Sequence, residues 1–473
     1  MIRPARALLT LTLCAATGAC VVGPRYQPPV PPAGATAPLV SASPGAESTA
    51  QPPDDWWRLY SDPTLDGLIA QAFAANTDLA GAQANLSAAR AVLEAARAGR
   101  YPGTTAVAGA VYGRDAATDE ILQIVGHRPE TIWKFDDILD VSYELDLFGR
   151  VKRSVQASRA DAEAAIAARD ALRVTVAAET ARAYAQVCAL GQQIAVARHS
   201  IEVVGHETEI TEQRNAAGAN SRFDVVRAQG LLAQVRGQLP PLEGQRRAAL
   251  FQLTALLGRA PANAPTEALA CVTPPRLASL IPVGDGAALL KRRPDVRLAD
   301  RRVAAATARI GVATADLYPR ISLTGLYGGV GSDTSDLSAE RGLTWGVGPT
   351  ISWAFPNQTG PRARIRQARA GQVAALAGFD SVVLQALKET ETALAAYGAE
   401  LDRRQALAEA QDKARQAFDL AHGQLLAGSV STLDLLTTEQ TLVAADTAVA
   451  ASDAALVQDQ IAVFKALGGG WRG

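Results

Sequence analysis

The nine residues Leu139-Asp140-Val141-Ser142-Tyr143-Glu144-Leu145-Asp146-Leu147 alternate apolar and polar without a break. Successive side chains of a strand point to opposite faces, so Leu139, Val141, Tyr143, Leu145 and Leu147 share one face. Asp140, Ser142, Glu144 and Asp146 share the other. Three more segments follow the same period. From Leu343 to Phe355, Leu343, Trp345, Val347, Pro349, Ile351, Trp353 and Phe355 oppose Thr344, Gly346, Gly348, Thr350, Ser352 and Ala354. Residues 320–327 alternate Ile321, Leu323 and Tyr327 with Ser322 and Thr324, and residues 104–113 alternate weakly in Ala, Val and Gly. Strands are expected at about 101–115, 133–149, 318–330 and 343–356. Gly328-Gly329-Val330-Gly331, where the third of these strands runs out, reads as a loop, because no helix start or acidic ribose partner follows to make a nucleotide fingerprint.

One such strand would suit an ordinary sheet on a soluble core. Four of them, with aromatics toward their ends, suit a transmembrane β-barrel. Four strands cannot close, and open edges in lipid leave backbone groups unsatisfied. Closure takes at least about eight strands, so the chain must oligomerise; three chains would supply twelve. Asp140, Glu144 and Asp146 would then make the lumen acidic.

Outward from the strands, the chain repeats itself. Asn76-Thr77-Asp78-Leu79 precedes Ala98-Gly99-Arg100-Tyr101-Pro102, and Arg293-Pro294-Asp295-Val296 precedes Ala315-Asp316-Leu317-Tyr318-Pro319; the Asp and Tyr-Pro landmarks lie 217 residues apart. Ala217-Gly218 with Asp224-Val225 matches Ala427-Gly428 with Asp434-Leu435 at a spacing of 210, as Leu257-Gly258 matches Leu467-Gly468. The chain is two copies of one unit: residues 54–260 and 284–473, joined by a linker at 261–283.

Each unit reads helix, two strands, long helices. Residues 152–217 hold no Pro and few Gly, enough for roughly 100 Å of helix. Val225, Leu232, Leu239 and Leu253 keep one seam of a heptad; Ala228, Val235, Leu242, Ala249 and Leu256 keep the other, with Arg246 the exception. In the second unit Leu435, Leu442, Val449, Leu456 and Val463 recur every seven residues, as do Leu436, Val443, Ala450, Val457 and Phe464. Heptads held this long mean helices packed side by side. Pro240-Pro241 should kink the first set without ending it.

At the N-terminus, Arg3 and Arg6 precede a short apolar run from Ala7 to Ala16, then Thr17-Gly18-Ala19-Cys20. This reads as an export signal over 1–19, with Cys20 becoming the acylated first residue. Residues 20–53 hold nine prolines from Pro24 onward, an extended tether. A net charge of −1, with basic residues scattered, excludes a nucleic-acid partner. No run of about 20 apolar residues follows the signal, so any membrane crossing is made by strands.

An acylated Cys, a Pro-rich lead, Trp56-Trp57 with Asp62-Pro63, and a duplicated helix–hairpin–helix unit together resemble the outer-membrane efflux family, the TolC/OprM-like channels and NodT-type lipoproteins. The resemblance covers essentially all of the mature chain. It implies a mainly α protein with a transmembrane β part: a trimeric twelve-stranded β-barrel continuous with a long periplasmic α-barrel. It also implies a passive, gated outer-membrane duct without a cofactor. A periplasmic adaptor and an inner-membrane pump, usually of the resistance–nodulation–division type, would be its partners. A type I protein-secretion duct, or a lipid-anchored periplasmic coiled-coil scaffold, are the alternatives.

In such channels the helix tips carrying Gly-x5-Asp close the pore and dock the adaptor. The matching tips are Gly218 with Asp224 and Gly428 with Asp434, and Arg222 and Arg227 are candidate partners for these carboxylates. The plainer reading is that both Asp cap helix starts. Cys188 and Cys271 lie at similar helical distances from the first tip, which leaves a disulfide and two buried thiols equally open. His127, His199, His206 and His422 are isolated. His199, Glu202 and His206 share a helix face but lack a third close ligand, so no metal site is expected.

Overall fold

The computed structural model of the chain describes residues 21–41, 47–48, 50–114, 120, 124–126, 131–277, 280–284, 286–427 and 429–470. The signal segment, Cys20, His127 and Gly428 lie outside the described residues. Two compact units emerge, each drawn from three stretches of chain: the described residues of 21–29, 86–165 and 299–379 form one, and those of 30–85, 166–298 and 380–470 the other.

The first unit contains the sheet. Strands β1 (Gly103–Gly113), β2 (Ile132–Leu145), β3 (Arg320–Gly331) and β4 (Leu343–Ser352) pair antiparallel in the order β1-β2-β3-β4. The register carries the alternation across the sheet: Leu139 faces Tyr327 and Tyr327 faces Trp345, while Val141 faces Gly325 and Gly325 faces Val347. One face therefore collects Leu139, Val141, Tyr143, Leu323, Tyr327, Trp345, Val347 and Ile351. Trp345, Val347 and Ile351 remain 65–71% exposed. An apolar face open along its length is costly in water and natural in lipid. Among the described residues β1 and β4 each keep an unpaired edge, which in lipid demands a neighbouring strand.

Two expectations need correction here. Gly328–Gly331 is not a loop but the end of β3, and its glycines are there for closeness. A Cβ on Gly328 would lie 1.9 Å from the Asp137 carbonyl oxygen, and one on Gly329 2.3 Å from that of Leu337. Asp146 is not a lumen-facing strand residue, because β2 ends at Leu145. Its carboxylate instead accepts from the backbone N–H groups of Val151 and Lys152 at 2.9 and 2.8 Å, capping the helix that follows.

In chain order the helices are α1 (Pro63–Ala75), α2 (Thr77–Ala98), α3 (Arg150–Ala216), α4 (Arg222–Leu256), α5 (Gly286–Arg292), α6 (Pro294–Ala315), α7 (Thr359–Leu426) and α8 (Thr432–Ala466). Several begin on signals legible in the sequence. Asp62 accepts from the N–H groups of Thr64 and Leu65 with Pro63 in the first turn, and Asn76 accepts from those of Asp78 and Leu79. α4 runs through Pro240 and Pro241 as one helix; both prolines are exposed, which leaves the carbonyls they free open to solvent. α7 carries an 18-residue stretch of mean hydropathy 1.3 of which only 17% is buried, a helix surface still open to a packing partner.

The second unit holds the main core. Trp56 is fully buried and stacks on Phe464 with ring centroids 4.8 Å apart, and Leu65, Leu68, Ile69, Leu190, Leu253 and Leu257 complete the cluster. Burying each such side chain contributes about 1.5–3 kcal/mol. The duplication recurs as geometry. Leu257 and Leu467 are each 1% exposed and each is followed by a left-handed glycine, Gly258 at φ 66° and Gly468 at φ 70°.

Candidate functional site

Both tips lie in the second unit. At the first, α3 ends at Ala216, Gly218 turns the chain at φ 76°, and Ser221 opens α4. The Ser221 hydroxyl accepts from the Asp224 N–H at 3.2 Å, and the Asp224 carboxylate accepts from the Ser221 N–H and hydroxyl at 3.0 and 2.7 Å. Ser431 and Asp434 repeat the arrangement at 3.2, 3.1 and 2.7 Å at the start of α8. These are capping boxes, which satisfy orphan N–H groups reciprocally. The donated hydrogen bonds from Ser431 hold the Asp434 carboxyl below its ordinary range. The Asn220 amide reaches the Thr432 hydroxyl at 3.3 Å, tying one tip to the other.

Arg222 and Arg227 do not pair with these carboxylates within the chain. Arg227 lies over the Phe223 ring at 5.7 Å, and both arginines are exposed. In the sheet, Asp140 is exposed, whereas Glu144 forms an ion pair with Arg150, so the acidic face is weaker than the sequence alone suggests.

The seam of α8 contains a feature the heptad reading passed over. Thr432, Glu439, Asp446, Asp453 and Gln460 also recur every seven residues, and they face inward. Asp453 is held by Arg404 at 2.7 Å, by Arg276 at 3.3 Å and by Gln192 at 3.3 Å. Asp446 is met by Gln411 and Arg415, and Gln460 by the Tyr60 hydroxyl. Glu439 is 1% exposed, and neither carboxylate oxygen has a hydrogen-bond partner among the described residues. Burial and the nearby Glu207 of α3 push its pKa up to about 7. Glu207 in turn lies 3.7 Å from the His422 ring of α7. Reading polar residues at the seam spacing would have found this row; only the fold shows which member lacks a partner.

Away from the tips, Cys188 and Cys271 are joined in a disulfide with Cα atoms 4.8 Å apart. Arg246, the exception in the first seam, donates to the carbonyls of Val187, Leu269 and Cys271, so it braces the backbone on both sides of that bridge. His199 and Glu202 are exposed and 4.0 Å apart.

An open antiparallel sheet with one lipid-compatible face, carried by a duplicated set of very long helices, defines a protomer of an outer-membrane channel. Residues 68–259 and 287–469 match the family described as outer membrane efflux protein, and the chain belongs to that family. The pyoverdine export outer membrane protein OpmQ of Pseudomonas putida is 30% identical over 460 residues, covering 93% of this chain and 92% of the relative. Outer membrane protein OprJ of Pseudomonas aeruginosa is 29% identical over 479 residues, covering 100% and 97%. Among solved structures, the outer-membrane channel OprN superposes with a TM-score of 0.88 at 34% identity, covering 96% of this chain and all of that one. The open state of the Neisseria gonorrhoeae MtrE channel gives 0.83 at 25%, covering 96% and 99%. The fold is thus that of the trimeric TolC-like channels, with four strands from each chain. The chain is an outer-membrane protein and the channel component of a tripartite efflux system, and channels of this family work as trimers with an adaptor and an inner-membrane pump.

Proposed function

We propose that the trimer is a passive, gated duct that catalyses no chemistry and that opens to a periplasmic adaptor driven by a resistance–nodulation–division pump. The apolar face formed by Leu139, Val141, Tyr327, Trp345 and Val347 carries this reading, since a periplasmic scaffold has no use for it. The exported cargo is a small molecule set by the pump; the printed names of relatives range from pyoverdine export to toluene efflux. Cys20 bears the lipid anchor, a reading supported by the relative named probable outer membrane lipoprotein SilC of Salmonella typhimurium. Gly218, Asp224, Gly428 and Asp434 form the closing end and the adaptor-docking tips. Three chains would bring six carboxylates together there, where they repel one another and favour cations over anions.

The test places a lysine on each face of β4. Val347→Lys puts a charge in lipid and should abolish the heat-modifiable trimer and its conductance in planar bilayers; Thr350→Lys, on the lumen face, should keep both. Assembly indifferent to Val347→Lys would overturn the duct.

A further inference from the structure

Beside the N-terminal segment of the first unit lies a cavity of about 710 Å³, lined among others by Val21, Arg25, Tyr26, Lys152, Arg153 and Arg301. Its charges do not balance. Arg159 and Arg301 are answered by Glu163 at 3.1 and 3.0 Å, and Arg301 also by Asp300. The side chains of Arg25, Lys152 and Arg153 have no carboxylate partner among the described residues; Asp146 meets Lys152 only through its backbone N–H. Arg153 is the most demanding of the three, being only 5% exposed. Its guanidinium donates to neutral acceptors alone: the carbonyls of Val22 and Gly23 at 3.1 and 3.0 Å, and the Gln156 amide oxygen at 3.0 Å. Burial and the neighbouring Arg25 both lower its pKa. A buried cation beside a second cation is costly until an anion joins them.

The cavity's height in the fold says where that anion comes from. Phe148 stacks on Tyr318 at 4.5 Å and Trp353 on Phe355 at 4.7 Å, just past the ends of the strands. Such aromatic pairs mark the headgroup level of a bilayer. Lys152 and Arg153 follow Phe148 within one helical turn of the start of α3. The Val22 N–H donates to the Phe148 carbonyl at 3.2 Å, pinning the segment that follows Cys20 to the same level. Val21 adds an apolar wall.

We propose that Arg25, Lys152 and Arg153 form a binding site for the phosphodiester of an anionic phospholipid of the phosphatidylglycerol type, one per protomer, beside the lipid anchor. The site's placement in the bilayer rests on the duct reading above; its charge imbalance does not. Occupancy supplies the counter-charge that Arg153 lacks and clamps the N-terminal segment against the start of α3.

The full-length trimer, purified in mild detergent, is titrated with short-chain phosphatidylglycerol, short-chain phosphatidylcholine and inorganic phosphate, with native mass spectrometry and thermal unfolding as readouts. Phosphatidylglycerol should bind three per trimer, at least about tenfold more tightly than phosphatidylcholine or free phosphate. The double variant Arg25→Gln, Lys152→Gln should lose about tenfold in that affinity, while Lys413→Gln, an exposed cation of α7, should lose nothing. Arg153 is left in place because its bonds to the N-terminal backbone are structural. Equal binding by the variant and the parent overturns the site. Free phosphate binding as tightly as the lipid overturns the lipid as its occupant. Conductance of the same samples separates the two ideas: intact channels without selective lipid binding sink only the site, and absent conductance in the parent sinks the duct.

Discussion

The two return helices, α4 and α8, have the same length and the same ends, yet they are built on different insides. Both start on a Ser/Asp capping box and both finish on a buried Leu and a left-handed Gly. Between these ends, each member of the inward polar row of α8 has a counterpart 210 residues earlier. Thr432 answers to Arg222, Glu439 to Gln229, Asp446 to Arg236, Asp453 to Glu243 and Gln460 to Leu250. Arg222, Gln229 and Arg236 are exposed, and Glu243 meets Arg198 at the surface. After duplication the backbone signals stayed alike because each repeat must begin and end its helices in the same way. The seam was free to diverge, so α8 became the polar-cored arm and α4 the surface-charged one.

The largest expected difference lies outside the seams. The disulfide ties the first repeat to the linker and has no counterpart in the second repeat, since Gly398 stands where Cys188 would recur. It closes a separation of 83 residues. Replacing Cys188 and Cys271 together with Ser should cost about 4 kcal/mol, largely through a freer unfolded chain. Denaturant midpoints with and without reductant check this; parent and variant coinciding in oxidising buffer would remove the bridge from the account.

Next come the matched carboxylates. Asp453→Ala removes a buried carboxylate shared by Arg404 and Arg276, whose own side chains reach solvent and are screened there, and should cost about 2 kcal/mol. Glu243→Ala breaks only an exposed pair and should cost less than about 1 kcal/mol. Equal losses would mean that the two seams are not different in kind.

Glu439 sharpens the comparison through pH. Its folded pKa of about 7 exceeds the ordinary 4.5, so between those values the folded chain holds a proton that the unfolded chain has released. Stability contributed by neutral Glu439 is therefore complete at low pH, is lost as pH rises through this window, and stays lost above it. Glu207 from α3 and His422 from α7 face the same region, and Glu207 adds to burial in raising the Glu439 pKa. Glu439→Gln gives α8 the residue that α4 already has at Gln229. It should flatten the slope and add about 2–3 kcal/mol per chain at about pH 8. Unfolding of parent and variant at about pH 5 and pH 8 decides the matter; a slope that survives the substitution argues against Glu439 as its source.

Much of this was legible before any coordinates, for a physical reason. Alternation at 139–147 and 343–355, heptads and the repeated Gly-x5-Asp are all local signals, and local signals fix where elements start, stop and face. What escaped depends on chain segments meeting. Asp146 looked like the last lumen residue of a strand because its alternation continues, but the first turn of α3 needed an acceptor and took it. The glycines at 328–331 looked like a loop because the backbone pressing on them comes from residues 137 and 337. Arg153 lies 130 residues from Gly23, a distance that no window on the sequence spans.

The smallest effect is also the one that separates two roles of one residue. Asp224 and Asp434 are capping carboxylates in this structure and gate carboxylates in the proposed function, and a simple Asp→Ala change removes both at once. Ser221→Ala and Ser431→Ala remove the hydroxyl that accepts from the Asp N–H but keep the charge, and each should cost about 1 kcal/mol. The two losses should be equal, because the two boxes have the same geometry. If six carboxylates hold the closed end, the Ser variants leave single-channel conductance and antibiotic sensitivity where they were. Asp224→Ala with Asp434→Ala, carrying a similar stability loss, should raise both. Matching leakiness in the Ser and Asp variants would instead assign closure to the ordering of the helix starts, and charge at the tips would have no part in it.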